Sequence, residues 1–154
     1  MFWEVKSPWI QNISPEAKIP WREAFPPSGK WSTFRMDGSH MRTTQEIFEQ
    51  YSKISGFPVY FGWNWDAFLE CLRDFSWAPS KGYLFIIDHA ERLLQEEPEE
   101  MQTFFSCIRE AGRHWGESLS VVNDPEKGET PFNTILVCDH NHWEFLKSSL
   151  LPKG

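Results

Sequence analysis

Cysteine is scarce and odd in number: the 154-residue chain holds only Cys71, Cys107 and Cys138. They lie far apart, each within an apolar periodic segment, and no CxxC or Cys/His ligand spacing occurs. They read as buried thiols of a reducing compartment rather than a disulfide framework or a zinc site. Long apolar runs are missing too; none approaches the roughly 18 residues that mark a spanning helix. The start, MFWEVKSPWIQN, lacks the basic residues and apolar stretch of a secretory signal. A cytoplasmic protein without a membrane segment is expected. Positive charge is also in short supply, with 15 Lys and Arg against 22 Asp and Glu, a formal charge of −7. That balance argues against nucleic acid and anionic membranes as partners. It suits a basic protein partner, and it equally well serves solubility alone.

Chemical motifs are thin. Neither a P-loop nor GxGxxG is present to cradle phosphate, and no GxSxG elbow presents a nucleophile. His140 and His142 follow a strand-like run beside Asp139, but HNH lacks the i,i+4 spacing that brings two imidazoles together on a helix. An ordinary polar helix start accounts for them, and no metal or cofactor is expected. Asp88-His89, at the end of the apolar run YLFIID, is the best enzymatic candidate. A carboxylate can orient an imidazole for general-base work, and open α/β sheets place chemistry at strand ends. Polar residues are common there without any such role.

What the chain does have is apolar bulk: 40% hydrophobic and 16% aromatic residues, including nine tryptophans. That excludes disorder and, at this length, supports one domain with a real core. Residues 1–30 are broken by Pro8, Pro15, Pro20 and the pair Pro26-Pro27. Trp3, Val5, Trp9 and Ile10 suggest a short edge strand there, and IPWREAF a turn of helix. WSTFRM reads as a strand ending at the Asp37-Gly38 turn. TTQEIFEQYSKISG reads as a helix with a Thr43/Glu46 capping box and Gly56 beyond its end. YLFIID is a strand covered on both faces. ERLLQEEPEE reads as a solvated loop or short helix ending near Pro98. A helix through Met101, Phe104, Phe105, Ile108, Ala111 and Trp115 follows. SLSVV is a possible strand, residues 123–131 a loop, FNTILVCD a strand, and HWEFLKSSL a closing helix. Strands alternating with helices predict a small α/β domain with parallel pairing.

The informative stretch is YFGWNWDAFLECLRDF, residues 60–75. Asn64 can cap a helix in which Trp65, Phe68, Leu69, Leu72 and Phe75 form an apolar stripe. Asp66, Glu70 and Asp74 then fall on one other face. Like charges four apart repel by roughly 0.2–0.5 kcal/mol per pair. The helix dipole compensates only Asp66, in the first turn. Tyr60, Phe61 and Trp63 lead into the helix and set aromatic anchors beside the charges, as protein interfaces do. A routine solvated helix face with its aromatics packed inward remains the alternative. Nucleic-acid binding finds no basic stripe, because Arg73 stands alone among acids.

YFGWNWDAFLECL resembles the pattern YYG-x-N-x-D-A-L-W-D-C-L of the barstar family, small cytosolic inhibitors that block the ribonuclease barnase. Tyr60, Gly62, Asn64, Asp66, Ala67, Cys71 and Leu72 match unchanged, and the resemblance spans about residues 31–138. It implies a three-stranded parallel sheet packed by helices, with residues 1–30 an extension packed on or near a domain of residues 31–154. It also implies inhibition without turnover: an acidic helix and the loop before it plug a partner's cationic active site. By position, Tyr60, Asn64, Asp66, Leu69, Glu70, Arg73, Asp74, Phe75 and Glu110 become the partner-binding residues. Leu69 stands for a contacting tryptophan, and Glu70 for the dominant aspartate. Arg73-Asp74 stands for Thr-Gly, Phe75 for another aromatic, and Glu110 for a glutamate on a later helix. Glu70 moves its charge outward by a methylene, and Arg73 would offer a positive charge to a basic cleft. These departures point to a divergent ribonuclease or another toxin rather than barnase itself. A small hydrolase at Asp88 and His89 is one alternative. A non-inhibitory binding domain that works through residues 1–30 and 123–131 is the other.

Overall fold

A computed structural model describes residues 9–17, 31–117 and 130–148. Its strands are β1 (Ile10–Ile13), β2 (Ser32–Asp37), β3 (Tyr83–Asp88) and β4 (Phe132–Val137). Its helices are α1 (Thr44–Ser55), α2 (Trp65–Asp74), α3 (Met101–Gly116) and α4 (His140–Lys147). The strands form one sheet in the order β1-β4-β3-β2, parallel throughout. The expected α/β class and parallel pairing hold. The sheet has four strands rather than three, because β1 adds itself to the free edge of β4. A short edge strand was expected here, but Pro8 and Pro15 leave too short a pattern to fix its bounds or its partner. Only Ile10 of the residues assigned to that strand lies in it. Trp9 precedes it at φ 65°, and Trp3 and Val5 lie outside the described residues. Asn12 secures the join, its Nδ2 donating to the Leu136 and Cys138 carbonyls at 3.0 and 3.1 Å.

Successive residues of a strand face opposite sides, and here the two sides bury different groups. Met36, Tyr83, Phe85, Ile87, Phe132 and Leu136 face the main core. Leu84, Ile86 and Ile135 form a second cluster, with Ile13 and Val137 against it. Burial on both faces explains why YLFIID is almost continuously apolar. On the main side α1 packs on β2, α3 on β4, and α2 against α3.

Local signals set the helix ends, with one change. Thr43 Oγ1 accepts from Glu46 N at 3.1 Å, while Glu46 Oε1 accepts from Arg42 N at 2.9 Å. The reciprocal bond of the capping box thus reaches one residue further back than expected. Gly56 ends α1 in the left-handed region at φ 71°, where a side chain is strained. ERLLQEEPEE is less solvated than expected: Leu93 and Leu94 are buried, and Leu94 N and Glu96 N bond to the Met41 and Arg42 carbonyls. Pro98 opens a 3-10 turn running into α3 instead of ending a helix. Asp139 caps α4, accepting from His142 N at 2.9 Å and pairing with its Nδ1 at 2.8 Å. IPWREAF, SLSVV and most of the 123–131 loop lie outside the described residues.

Tyr51 sits at the centre of the core, its ring 4.9 Å from Phe68 and 5.3 Å from Phe85. Its buried hydroxyl has no hydrogen-bond partner, and burial raises its pKa. An unpartnered buried hydroxyl costs about 1–3 kcal/mol. Tyr51→Phe keeps the ring contacts and is expected to raise the unfolding free energy by about 1 kcal/mol in urea denaturation.

Candidate functional site

The turn from α1 to α2 is tied down at several points. Phe61 N donates to the Pro58 carbonyl at 3.0 Å, which places Val59 and Tyr60 at the tip. The Phe61 ring is buried, edge-on to Phe48 at 5.4 Å and to Phe57 at 5.1 Å. Trp63 takes a left-handed conformation at φ 52° and lies 5.2 Å from Phe61 and 6.5 Å from Phe48. Asn64 uses both ends of its amide: Oδ1 accepts from Ala67 N at 2.8 Å, and Nδ2 donates to the Gly62 carbonyl at 3.1 Å. It therefore caps α2 and braces the turn at once.

The stripes on α2 are those its spacing predicts. Phe68, Cys71 and Leu72 are buried, and Trp65, Ala67 and Leu69 are half-buried against the core. Asp66, Glu70 and Asp74 are exposed. Two indoles hold the ends of the helix: Trp65 Nε1 donates to Glu100 Oε2 at 2.9 Å, and Trp115 Nε1 to the Leu72 carbonyl at 2.8 Å. The second bond satisfies one of the last carbonyls of the helix, which have no partner within it. Glu70 and Asp74 border a depression of about 170 Å³ with Tyr60 and Ala67, floored by Phe61 and Cys71. Burial, reinforced by Asp74 and Glu70, pushes the Cys71 thiol up to about 11. That thiol is not a nucleophile at neutral pH.

Not every expected residue joins this surface. Phe75 ends α2 in the left-handed region at φ 47°, which turns the chain inward. Its ring is 1% exposed, so it supports the helix from beneath and presents nothing to a partner. Glu110, on α3, is held by Arg113, whose Nε donates to Oε2 at 3.1 Å with a closer NH2 contact to Oε1. That pairing, with Arg73 and Arg109 nearby, lowers the Glu110 pKa. Arg73 also helps lower the pKa of His114, after burial. The surface thus divides into an acidic part at Asp66, Glu70 and Asp74 and a charge-compensated part around Glu110. Val59, which the sequence did not single out, stands fully exposed at the tip of the turn before α2.

Asp88 and His89 lie at the other candidate, a cleft of about 640 Å³ at the carboxyl ends of the strands. Asp88 does not orient His89. Its carboxylate takes a two-point bond from Arg35, at 2.6 and 3.0 Å. The His89 Nδ1 instead lies 3.7 Å from Glu91. Among the described residues no group of three or more His, Cys, Asp and Glu could hold a metal ion. No helix there is long and apolar enough to cross a membrane.

The family model described as Barstar (barnase inhibitor) matches residues 31–133. The chain belongs to the barstar family. No curated protein matches it. The barstar match takes in β2, α1, the turn, α2, β3 and α3 and reaches the start of β4; β1 and α4 lie beyond it. The acidic helix and the turn before it therefore lie wholly inside the barstar-family segment.

The Asn64 cap gives a direct check on this junction. Asn64→Ala is expected to lower stability by about 1 kcal/mol in urea denaturation, and Asn64→Asp to restore most of it by keeping the bond to Ala67 N–H.

Proposed function

We propose that this barstar-family chain is an inhibitor or immunity protein that blocks the active site of a ribonuclease or related toxin with the acidic face of α2. The observation that carries this is a capped helix packed on the core with Asp66, Glu70 and Asp74 exposed on one side, within the segment matched by a family of barnase inhibitors. Enzymes that cleave nucleic acids hold substrate phosphates in cationic clefts. Fixed carboxylates at phosphate-like positions occupy such a cleft, and the repulsion among them is relieved when they meet its cations. In this mechanism Asp66 and Glu70 mimic phosphate, while Tyr60 and the exposed part of Leu69 seal the contact. Asn64 fixes the geometry, and Arg73 and Asp74 tune selectivity at the rim. Glu110, already paired with Arg113, is a secondary contact. No bond in the partner is made or broken, and the block is steric and electrostatic.

Residues 31–154 form the inhibitory domain in this reading, and the first 30 residues are an extension that lends β1 to the sheet. The partner is a basic protein, and the three buried thiols suit a reducing cytoplasm. A hydrolase at Asp88 and His89 is the weaker reading, because Arg35 occupies the carboxylate that would have to orient the imidazole.

The test is a titration of purified basic ribonucleases, measuring RNA cleavage against added chain, then against Asp66→Ala and Glu70→Ala. One-to-one inhibition of at least one enzyme is expected, with each substitution weakening it by about 2–5 kcal/mol. Raising the salt concentration should slow association. Absence of inhibition across the panel, or unchanged inhibition by both variants, would refute the proposal.

A further inference from the structure

At the tip of the turn before α2, three apolar side chains stand in solvent: Val59 is 104% exposed, Tyr60 71% and Trp63 46%. Single exposed apolar residues are ordinary, whereas a cluster of them marks an interaction site. This cluster is also held rigid. The Pro58–Phe61 bond closes the turn, the buried Phe61 anchors it, and Asn64 ties Gly62 to the helix start. Trp63 rests on Phe61 and Phe48, so its exposure also follows from the packing below it. Val59 adds nothing to the fold, because it touches too little to bury any surface. A side chain presented in a fixed conformation loses little entropy when a partner covers it.

The neighbouring charges define the occupant. Tyr60 borders the same depression as Glu70 and Asp74, so whatever covers the tip also meets two carboxylates. A second copy of this chain brings its own acidic stripe and a net charge of −7, and like charges would then face each other. We infer that Val59, flanked by Tyr60 and Trp63, enters an uncharged apolar pocket at the edge of the partner's cationic cleft and selects among basic partners. The inference rests on the reading of α2 as the inhibitory face. It adds that the partner is not uniformly cationic: it carries a hydrophobic subsite beside its phosphate-binding groups.

Substitution at Val59 is a clean probe, since a fully exposed side chain can change without disturbing the core. The test titrates Val59→Ser, Val59→Glu and Glu70→Ala against each purified basic ribonuclease that the unaltered chain inhibits. Circular dichroism confirms that each variant is folded. Val59→Ser is expected to raise the inhibition constant about tenfold, and Val59→Glu about 100-fold despite its added negative charge. A uniformly cationic partner would bind Val59→Glu more tightly. Should Val59→Ser stay within about twofold, or Val59→Glu bind as well or better, while Glu70→Ala still weakens inhibition, the apolar pocket is refuted and the acidic face stands. Should no ribonuclease be inhibited, or Glu70→Ala have no effect, the acidic-face reading falls and the pocket with it. A dimer of the unaltered chain in sedimentation that Val59→Glu dissolves would also overturn the inference, by making the tip a self-contact.

Discussion

Phe75 pins the acidic helix to the sheet. Its ring lies 4.7 Å from Tyr83, 5.0 Å from Trp77, 6.1 Å from Phe85 and 6.2 Å from Phe34. About two turns earlier, Phe68 lies 4.9 Å from Tyr51 and 5.5 Å from Phe48. Such aromatic pairs contribute about 0.5–1.5 kcal/mol each beyond the area they bury. The opposing repulsion among Asp66, Glu70 and Asp74 amounts to roughly 0.2–0.5 kcal/mol for each neighbouring pair. The aromatic side therefore wins by a wide margin, and three carboxylates can stand together without unwinding α2. A fold with a weaker grip on this helix would need cations interleaved with the acids, and the interleaved cations would cancel the face.

The same grip has a functional consequence. An inhibitor that mimics phosphate must hold its charges in place before the partner arrives, because ordering them afterwards erodes affinity. Here the helix is held from beneath by Phe68, Leu72 and Phe75, at its start by Asn64, and near its end by the Trp115 indole. The charges that would complicate such a surface are paired elsewhere. Arg113 holds Glu110, and Arg35 holds Asp88 at the far end of the sheet. What stays open toward solvent is acid beside an apolar tip. That combination is what the proposed inhibitory role requires of a chain in a family described as barnase inhibitors.

Much of this was legible in the residues, for physical reasons that differ from place to place. The helix spacing of α2 and the caps at Thr43 and Asn64 are local, and local patterns survive folding. The parallel sheet followed from the alternation of strands and helices and from the near-continuous apolar run Tyr83–Ile87, which suits a strand buried on both faces. Three things were not legible. An edge strand was expected near Ile10, but the span of β1 depends on pairing with a strand more than 120 residues away (Asn12 to Leu136), which nearby residues do not reveal. Phe75 matched an interface aromatic by position, but a left-handed turn at that residue sends its ring into the core. Glu110 matched by position as well, and only the geometry of α3 shows that Arg113, three residues on, already holds it. Backbone conformation and ion pairing, rather than residue type, decided both.

Hydrogen exchange of the chain, free and bound to a ribonuclease it inhibits, tests the central claim most directly. The account predicts that binding slows exchange across residues 58–74, the turn and α2. Exchange at 35–37 and 88–91, beside the cleft at the strand ends, should not change. Protection at the strand ends with none across 58–74 would contradict it.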